Sequence, residues 1–315
     1  MYSLNEYGQM LADNIRTRAY TAALQRVVRP GAVVVEIGTG VGFFALMAAR
    51  MGAGRVYAFE PSPSIYIANQ VVAANGGGPI QLIRAKSNQV ELTERADVIL
   101  SDLRGSVPIF ADHLPTIVDA RMRILKPDGA LIPQRDRIWI ALVESEPLYG
   151  RTIGVWKNIK ADINMDPALE AQVCTPMKTR LTPAELLSDG RCWHTLEYGV
   201  FELESLASTV TLVASRKGVC HGYAMWFDTD LWDDVGFSNH PAKPAAIYGQ
   251  MFFPWRNAVS LEANEAVTCS VRADLIGTTY IWAWSAITSN RELSHSTRNL
   301  PEVEAALDEQ LSPSR

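Results

Sequence analysis

Cysteine is scarce in this chain. There are four in 315 residues, and none stands in a C-x-x-C pair. Cys174, Cys192, Cys220 and Cys269 therefore support neither a structural zinc site nor a disulfide framework, and a reducing, cytoplasmic setting is expected. Histidine is nearly as rare. His194, His221, His240 and His295 show no mutual ligand spacing, so no metal is expected. A basic excess is absent too: 29 Lys and Arg face 34 Asp and Glu, a formal net charge of -5. Proteins that grip nucleic acid by its phosphates need clustered cations, so no nucleic-acid partner is expected. No apolar run reaches membrane-spanning length and no basic-then-apolar leader is present, which argues against a membrane partner. Internal repeats and low-complexity tracts are also missing. What remains is a chain of 48% hydrophobic content, enough for one or two packed cores.

The first part alternates strand and helix. Met10, Leu11, Ile15 and Ala19 recur at helical spacing, which predicts helix across 1–29 before Pro30-Gly31 breaks it. Val33-Val34-Val35 is a β-branched run entering a glycine-rich turn, the pattern of a buried strand. Helices are predicted over 43–51, 64–74 and 114–125, strands over 55–59, 80–84 and 97–100, and a turn at Lys126-Pro127-Asp128-Gly129. This alternation predicts a Rossmann-like, doubly wound parallel sheet over residues 1–133. After about residue 134 the period changes to two, at Val210–Ser215, Gly222–Asp228, Gln250–Pro254, Ala266–Ala273 and Tyr280–Ser285. That predicts an antiparallel sandwich or barrel over 134–315, interrupted by a helix-prone excursion at 156–190.

The chemistry-bearing motif is Glu36-Ile37-Gly38-Thr39-Gly40-Val41-Gly42, between a strand and a helix. Glycines permit a tight turn and let a ligand approach without a Cβ in the way. Glu60 ends the next strand, 18 residues after Gly42, where a carboxylate accepts hydrogen bonds from two ribose hydroxyls. The spacing is G-x-G-x-G rather than the G-x-G-x-x-G of dinucleotide sites, which disfavours a nicotinamide oxidoreductase. An acid stands two residues before the first glycine. Glu36 suits a ligand ammonium and would repel a pyrophosphate.

Tyr7-Gly8-Gln9-Met10-Leu11-Ala12-Asp13-Asn14-Ile15-Arg16-Thr17-Arg18-Ala19-Tyr20 resembles the N-terminal helix of protein arginine methyltransferases, with its Met-Leu-x-Asp-x-x-Arg-x-x-x-Tyr pattern. The likeness continues through the E-x-G-x-G-x-G loop, Val56–Glu60, Lys86–Leu92, Asp97–Ser101, Ala120-Arg121, Lys126–Pro133 and His221–Asp228, so it covers nearly the whole chain. It implies an S-adenosylmethionine-dependent enzyme with a β-barrel second domain. It implies further that 156–190 is a helical arm that docks on a second subunit in a homodimer. By the same resemblance Arg16 meets the cofactor carboxylate, and Glu36, Gly38, Gly40, Gly42, Glu60, Pro61, Ser87 and Asn88 complete the cofactor site. Met10 lines the methyl-transfer site, and Asp112 and Tyr248 border the acceptor. A glutamate is usual where Asn88 stands, and the aromatics that cap the cofactor at the N-terminus are mostly absent.

The acceptor loop departs from the family. Arginine methyltransferases hold the guanidinium between two glutamates about nine residues apart. Here the loop reads Ser101-Asp102-Leu103-Arg104-Gly105-Ser106-Val107-Pro108-Ile109-Phe110-Ala111-Asp112-His113. Asp102 replaces the first glutamate and Ala111 the second. Arg104 and His113 stand where methionines line the site, and Ala246-Ile247-Tyr248 replaces a Thr-His-Trp stretch. A pocket built for a cation thus loses a carboxylate and gains a guanidinium. At about 4 Å, two like charges repel by a few kcal/mol at an effective dielectric near 20. The expectation is that Arg104 grips an anionic group of the acceptor, Asp102 orients the nucleophile and His113 relays its proton. Two other roles remain open: an internal salt bridge from Arg104 to Asp102 or Asp112, and a structural hydrogen bond from His113. The acceptor expected is then an amino acid, peptide or specialised metabolite, methylated on nitrogen or oxygen. The alternatives are free or peptidyl arginine, or a cofactor-binding protein without catalysis.

Overall fold

A computed structural model of the chain describes residues 2–159, 162–244, 247–289, 291–300 and 303. Ala246, of the Ala246-Ile247-Tyr248 stretch, lies outside the described residues, as do Lys160 and Ala161 of the expected arm. The chain divides into two compact units. The first comprises Met1–Asp136, Leu196–Leu203 and Asp228–Ser238, and the second Arg137–Thr195, Glu204–Phe227 and Asn239–Arg315.

The first unit is built on a parallel sheet of β1 (Val33–Ile37), β2 (Arg55–Phe59), β3 (Ile80–Ile83), β4 (Ala96–Ser101) and β5 (Leu125–Ile132), in the order β3-β2-β1-β4-β5. β1 is buried at every position, Glu36 included, as a strand between two covered faces requires. The order reverses between β1 and β4, so the carboxyl ends of those strands flank a crevice, the usual ligand position in open α/β sheets.

The N-terminal helix is in fact two, α1 (Leu4–Ala12) and α2 (Asn14–Val27). Asp13 divides them. Its carboxylate accepts from the backbone amides of Ile15 at 3.2 Å and Arg16 at 3.1 Å, so it caps a new helix rather than continuing the old one. α3 (Phe43–Arg50) and α4 (Ser64–Ala74) follow β1 and β2. α5 (His113–Asp119) runs on as a π-helical turn, Ala120–Ile124. The expected turn at Lys126-Pro127-Asp128-Gly129 lies inside β5 instead, where the pairing with β4 shifts register between Ala96 and Val98.

The strands that follow are antiparallel: β6 (Arg135–Val143), β7 (Met177–Thr179), β8 (Arg191–Glu197), β9 (Leu206–Val213), β10 (Gly218–Trp232), β11 (Val235–Ser238), β12 (Gln250–Leu261), β13 (Ala266–Ile276), β14 (Thr279–Ile287) and β15 (Glu292–Ser296). One sheet runs β7-β12-β10-β6-β8, and a four-stranded sheet runs β15-β14-β13-β9. Residues Asp228–Trp232 of β10, with β11, belong to the first unit. Within the 156–190 excursion, the helix Asp166–Val173 packs Leu169 and Val173 against Tyr149 and Ile153 of its own unit. Ile159 and Ile163 remain exposed. Among the described residues no helix is long and apolar enough to cross a membrane.

Candidate active site

A cavity of about 360 Å³ opens at the carboxyl ends of β1, β2 and β4, lined entirely by residues of the first unit. It brings together Met10, Arg16, Glu36, Gly38, Gly40, Glu60, Pro61, Ser87, Asp102, Asp112 and His113. Gly42, Asn88 and Arg104 are not in its lining, and Tyr248 belongs to the second unit, where its ring meets Phe227 edge-on at 5.2 Å.

Backbone builds the β1–β2 side. Gly38, Gly40 and Gly42 all have positive φ, at 81°, 57° and 84°. A Cβ on Gly40 would lie 2.5 Å from the Tyr7 ring, so only glycine allows α1 to close this wall. Gly42 acts from behind, as the N-cap of α3. Glu60 accepts from the Gly40 amide at 3.0 Å and the Ser62 amide at 2.9 Å, which fixes the carboxylate between the glycine loop and the end of β2. Glu36 is buried and accepts from the Thr39 hydroxyl at 2.6 Å. Burial pushes its carboxyl up to about 7. An amine cation placed beside it would draw it back to the ionised form.

Aromatics do cap this side, contrary to the sequence expectation. Tyr2 and Tyr7 both line the cavity, with ring centroids 6.0 Å apart, and the Tyr7 hydroxyl accepts from Ser64 at 3.3 Å. The signal for Tyr7 was the α1 face that also carries Met10 and Leu11; Tyr2 precedes that helix. Ser87, on the 3-10 turn Ser87–Gln89, is buried with a hydroxyl that makes no hydrogen bond among the described residues. Asn88 on the same turn is exposed and does not line the cavity. The orphaned hydroxyl, the ribose-spaced carboxylate and the glycine cradle fit the S-adenosylmethionine that the sequence resemblance implies.

The β4 side is built from charge. Asp102 stands between two guanidinium groups. Its Oδ2 accepts from Arg16 Nε at 2.7 Å and its Oδ1 from Arg104 Nε at 3.2 Å. Arg16, expected on the cofactor carboxylate, thus faces Asp102 in this structure. It also stacks over Tyr20 and Phe44 at 5.3 and 5.4 Å.

Arg104 does not face an acceptor. Its side chain is 0% exposed. Its Nη1 donates to Asp136 Oδ1 at 2.8 Å and to Thr229 Oγ1 at 2.7 Å, and its Nη2 donates to the Tyr20 hydroxyl. This corrects the expectation of a substrate anchor. The guanidinium is desolvated, and a buried charge requires a countercharge, which Asp136, itself 0% exposed, supplies. The internal ion pair left open by the sequence is the one observed, though its main partner is Asp136 rather than Asp112. Asp112 lies at the rim, half-exposed, paired to Lys86 Nζ at 2.6 Å. Asp136, Tyr198 and Thr229 were invisible to sequence reasoning, because each meets the loop only through long-range folding.

His113 lines the cavity in surroundings that disfavour a general base. Its Nε2 lies 3.1 Å from the Tyr198 hydroxyl. Burial, reinforced by the Arg104 charge, depresses its imidazolium to about 3. A ring this reluctant to take a proton is neutral at ordinary pH and a weak acceptor of one from substrate.

Comparison with known proteins agrees with this architecture. Residues 16–133 match the family model described as ribosomal protein L11 methyltransferase (PrmA), and residues 134–275 match the arginine methyltransferase oligomerization subdomain. A probable protein arginine N-methyltransferase 6 from Arabidopsis thaliana is 29% identical over 248 residues, 75% of this chain and 55% of that protein. An arginine N(omega)-methyltransferase from Streptomyces achromogenes subsp. streptozoticus is 28% identical over 264 residues, 82% of this chain and 73% of that protein. The fold is that of a Trypanosoma brucei PRMT1 enzyme-prozyme heterotetrameric complex with AdoHcy, with TM-score 0.83 at 20% identity, covering 93% of this chain and 98% of that one. Arabidopsis thaliana protein arginine methyltransferase 10 gives TM-score 0.79, also at 20% identity, over 94% and 98% of the two chains.

Proposed function

We propose that this chain is a protein arginine methyltransferase-like, S-adenosylmethionine-dependent methyltransferase and that its acceptor is the guanidinium of arginine. The observation that carries this reading is the Arg104–Asp136 pair. The case against a cationic acceptor rested on a guanidinium pointing into the pocket. With that charge buried and compensated by Asp136, Arg104 stays out of the cavity lining, which keeps two loop carboxylates, Asp102 and Asp112, each held by a neighbouring cation. The Streptomyces relative, whose name gives arginine as its substrate, supports the same reading.

Glu60 would hold the cofactor ribose and Glu36 its ammonium, with Tyr2 and Tyr7 on the wall beside it. Arg16 would meet the cofactor carboxylate on leaving Asp102, which would keep Arg104 as a partner. S-adenosylmethionine supplies an electrophilic methyl group on sulfur. Asp102 accepts hydrogen bonds from the acceptor guanidinium and orients one nitrogen at that methyl, so that much of the rate comes from positioning. On accepting that methyl the guanidinium nitrogen would give up one N–H proton, which the half-exposed Asp112 would pass to solvent. His113 takes no part in this transfer.

The match to the oligomerization subdomain supports an assembly of more than one chain, and the excursion at 156–190, with its exposed Ile159 and Ile163, is the part that docks on a second copy.

The test is mass spectrometry of acid hydrolysates after incubation with isotopically labelled S-adenosylmethionine and either free L-arginine or an arginine-rich peptide. Labelled methylarginine in either arm supports the reading. Label carried by neither arginine, but by another compound of a cell extract, contradicts it and restores a non-guanidine acceptor.

A further inference from the structure

Two residues that line the cavity each carry a buried polar atom without a partner among the described residues. Ser87 Oγ and His113 Nδ1 are both buried, and neither makes a hydrogen bond among the described residues. α5, which starts at His113, packs on the 3-10 turn that carries Ser87, and both residues line the cavity. Leaving a buried donor or acceptor unmade is costly, so atoms placed this way point to a ligand that completes them.

The hydrogen-bond chain behind His113 determines what its free nitrogen is. The Tyr198 hydroxyl has one proton and donates it to Asp136 Oδ2 at 2.6 Å. Asp136, paired with Arg104, is a carboxylate and only accepts. The Tyr198 oxygen is therefore left as an acceptor toward His113, 3.1 Å away, and the imidazole must present Nε2–H to it. In a neutral ring the other nitrogen then carries a lone pair and no proton. Asp136 and Tyr198 thus make Nδ1 a fixed acceptor. The Ser87 hydroxyl, free to rotate, can donate beside it.

We propose that His113 is a base-reading residue: its Nδ1 accepts the exocyclic amine of the cofactor adenine, and Ser87 donates to the ring nitrogen next to that amine. An adjacent donor and acceptor is what the six-membered edge of adenine presents. This rests on the cofactor assignment above. It also gives the chain an acceptor for the amine where Asn88, exposed on the far side of the turn, supplies none to the cavity. A purine with a carbonyl in place of the amine sets an acceptor against Nδ1, a mismatch that a tautomer locked from behind does not relieve. The site therefore rejects deaminated nucleosides.

The experiment compares binding of S-adenosylhomocysteine and S-inosylhomocysteine to the full chain by calorimetry, in the native protein, His113→Met and Tyr198→Phe. The native protein is expected to favour the adenine form by about 30-fold. His113→Met brings the two within about threefold. Tyr198→Phe, which unlocks the tautomer, falls between. An unchanged ratio in His113→Met overturns the proposal while leaving the cofactor assignment standing. Failure of the native protein to bind S-adenosylhomocysteine overturns both. Nitrogen NMR of the native protein labelled at histidine gives a readout that needs no variant to fold. One unprotonated Nδ1 should shift on adding S-adenosylhomocysteine and stay unmoved with S-inosylhomocysteine. A protonated Nδ1 on His113 in the free protein contradicts the assignment.

Discussion

The two sides of the cavity are built by different means. On the β1–β2 side, backbone does the positioning: three glycines at positive φ and two amides that hold Glu60. On the β4 side, side-chain charge does it. Arg16, Asp102, Arg104 and Asp136 form a chain of alternating sign whose charges sum to zero. The first arrangement depends on residues adjacent in sequence, the second on residues that only folding brings together. A backbone site fails by steric intrusion or by loss of one carboxylate. A charge-built site fails when one member leaves its partner buried and alone. The two sides should therefore respond differently to substitution.

The largest effect is expected on the charge side. Asp136→Ala leaves the Arg104 guanidinium buried with Asp102 as its remaining carboxylate, and should lower stability by about 3–5 kcal/mol in urea unfolding. Replacing the pair together, Arg104→Met with Asp136→Leu, should recover most of that loss, since apolar replacement of a buried ion pair is often neutral. If the double variant is as unstable as the single, Arg104 and Asp136 do not act as a unit.

On the backbone side, Glu60→Ala should keep the fold and weaken S-adenosylhomocysteine by roughly 1.5–3 kcal/mol, about 10- to 150-fold, because the ribose hydroxyls lose a charged acceptor. Calorimetry measures this directly. An equal loss of stability in that variant would erase the contrast between the two sides.

A smaller effect concerns pH. Glu36 has its carboxyl raised to about 7 by burial, so between its ordinary value near 4.5 and about 7 the folded chain holds a proton that the unfolded chain has released. Stability from this group therefore falls as pH rises through that window, by up to about 3 kcal/mol, and levels off above it. Glu36→Gln removes the dependence. The difference in urea midpoint between the native protein and this variant, followed from pH 5 to 8, should shrink or reverse in that direction. A difference independent of pH would show that Glu36 is ionised in the ligand-free protein.

Legibility in the sequence follows the same division. The parallel sheet, its glycine loop and Glu60 were readable because hydrophobic period, turn residues and an acid at fixed spacing are local signals. The antiparallel character of the second unit was readable for the same reason. The break at Asp13 was missed because a helical hydrophobic period runs through it, and only the capping carboxylate interrupts the helix. Arg104 was misread because its outcome is decided by Asp136, 32 residues on, and by Thr229, 125 residues on. Residue type says that a buried arginine needs a countercharge, but not which one. His113 was misread as a base because burial and the tautomer imposed by Tyr198 are properties of the folded chain.

The central claim is that Asp102 belongs to the acceptor site and Arg104 to the frame behind it. It is tested most directly by measuring kcat/KM for methyl transfer to arginine in Asp102→Asn and in the paired variant Arg104→Met with Asp136→Leu. Loss of an oriented carboxylate at the reacting group should cost about 100-fold or more, whereas exchange of the frame should cost no more than about tenfold. If the paired variant loses activity as fully as Asp102→Asn, with S-adenosylhomocysteine binding intact, then Arg104 serves the acceptor directly and the account is wrong.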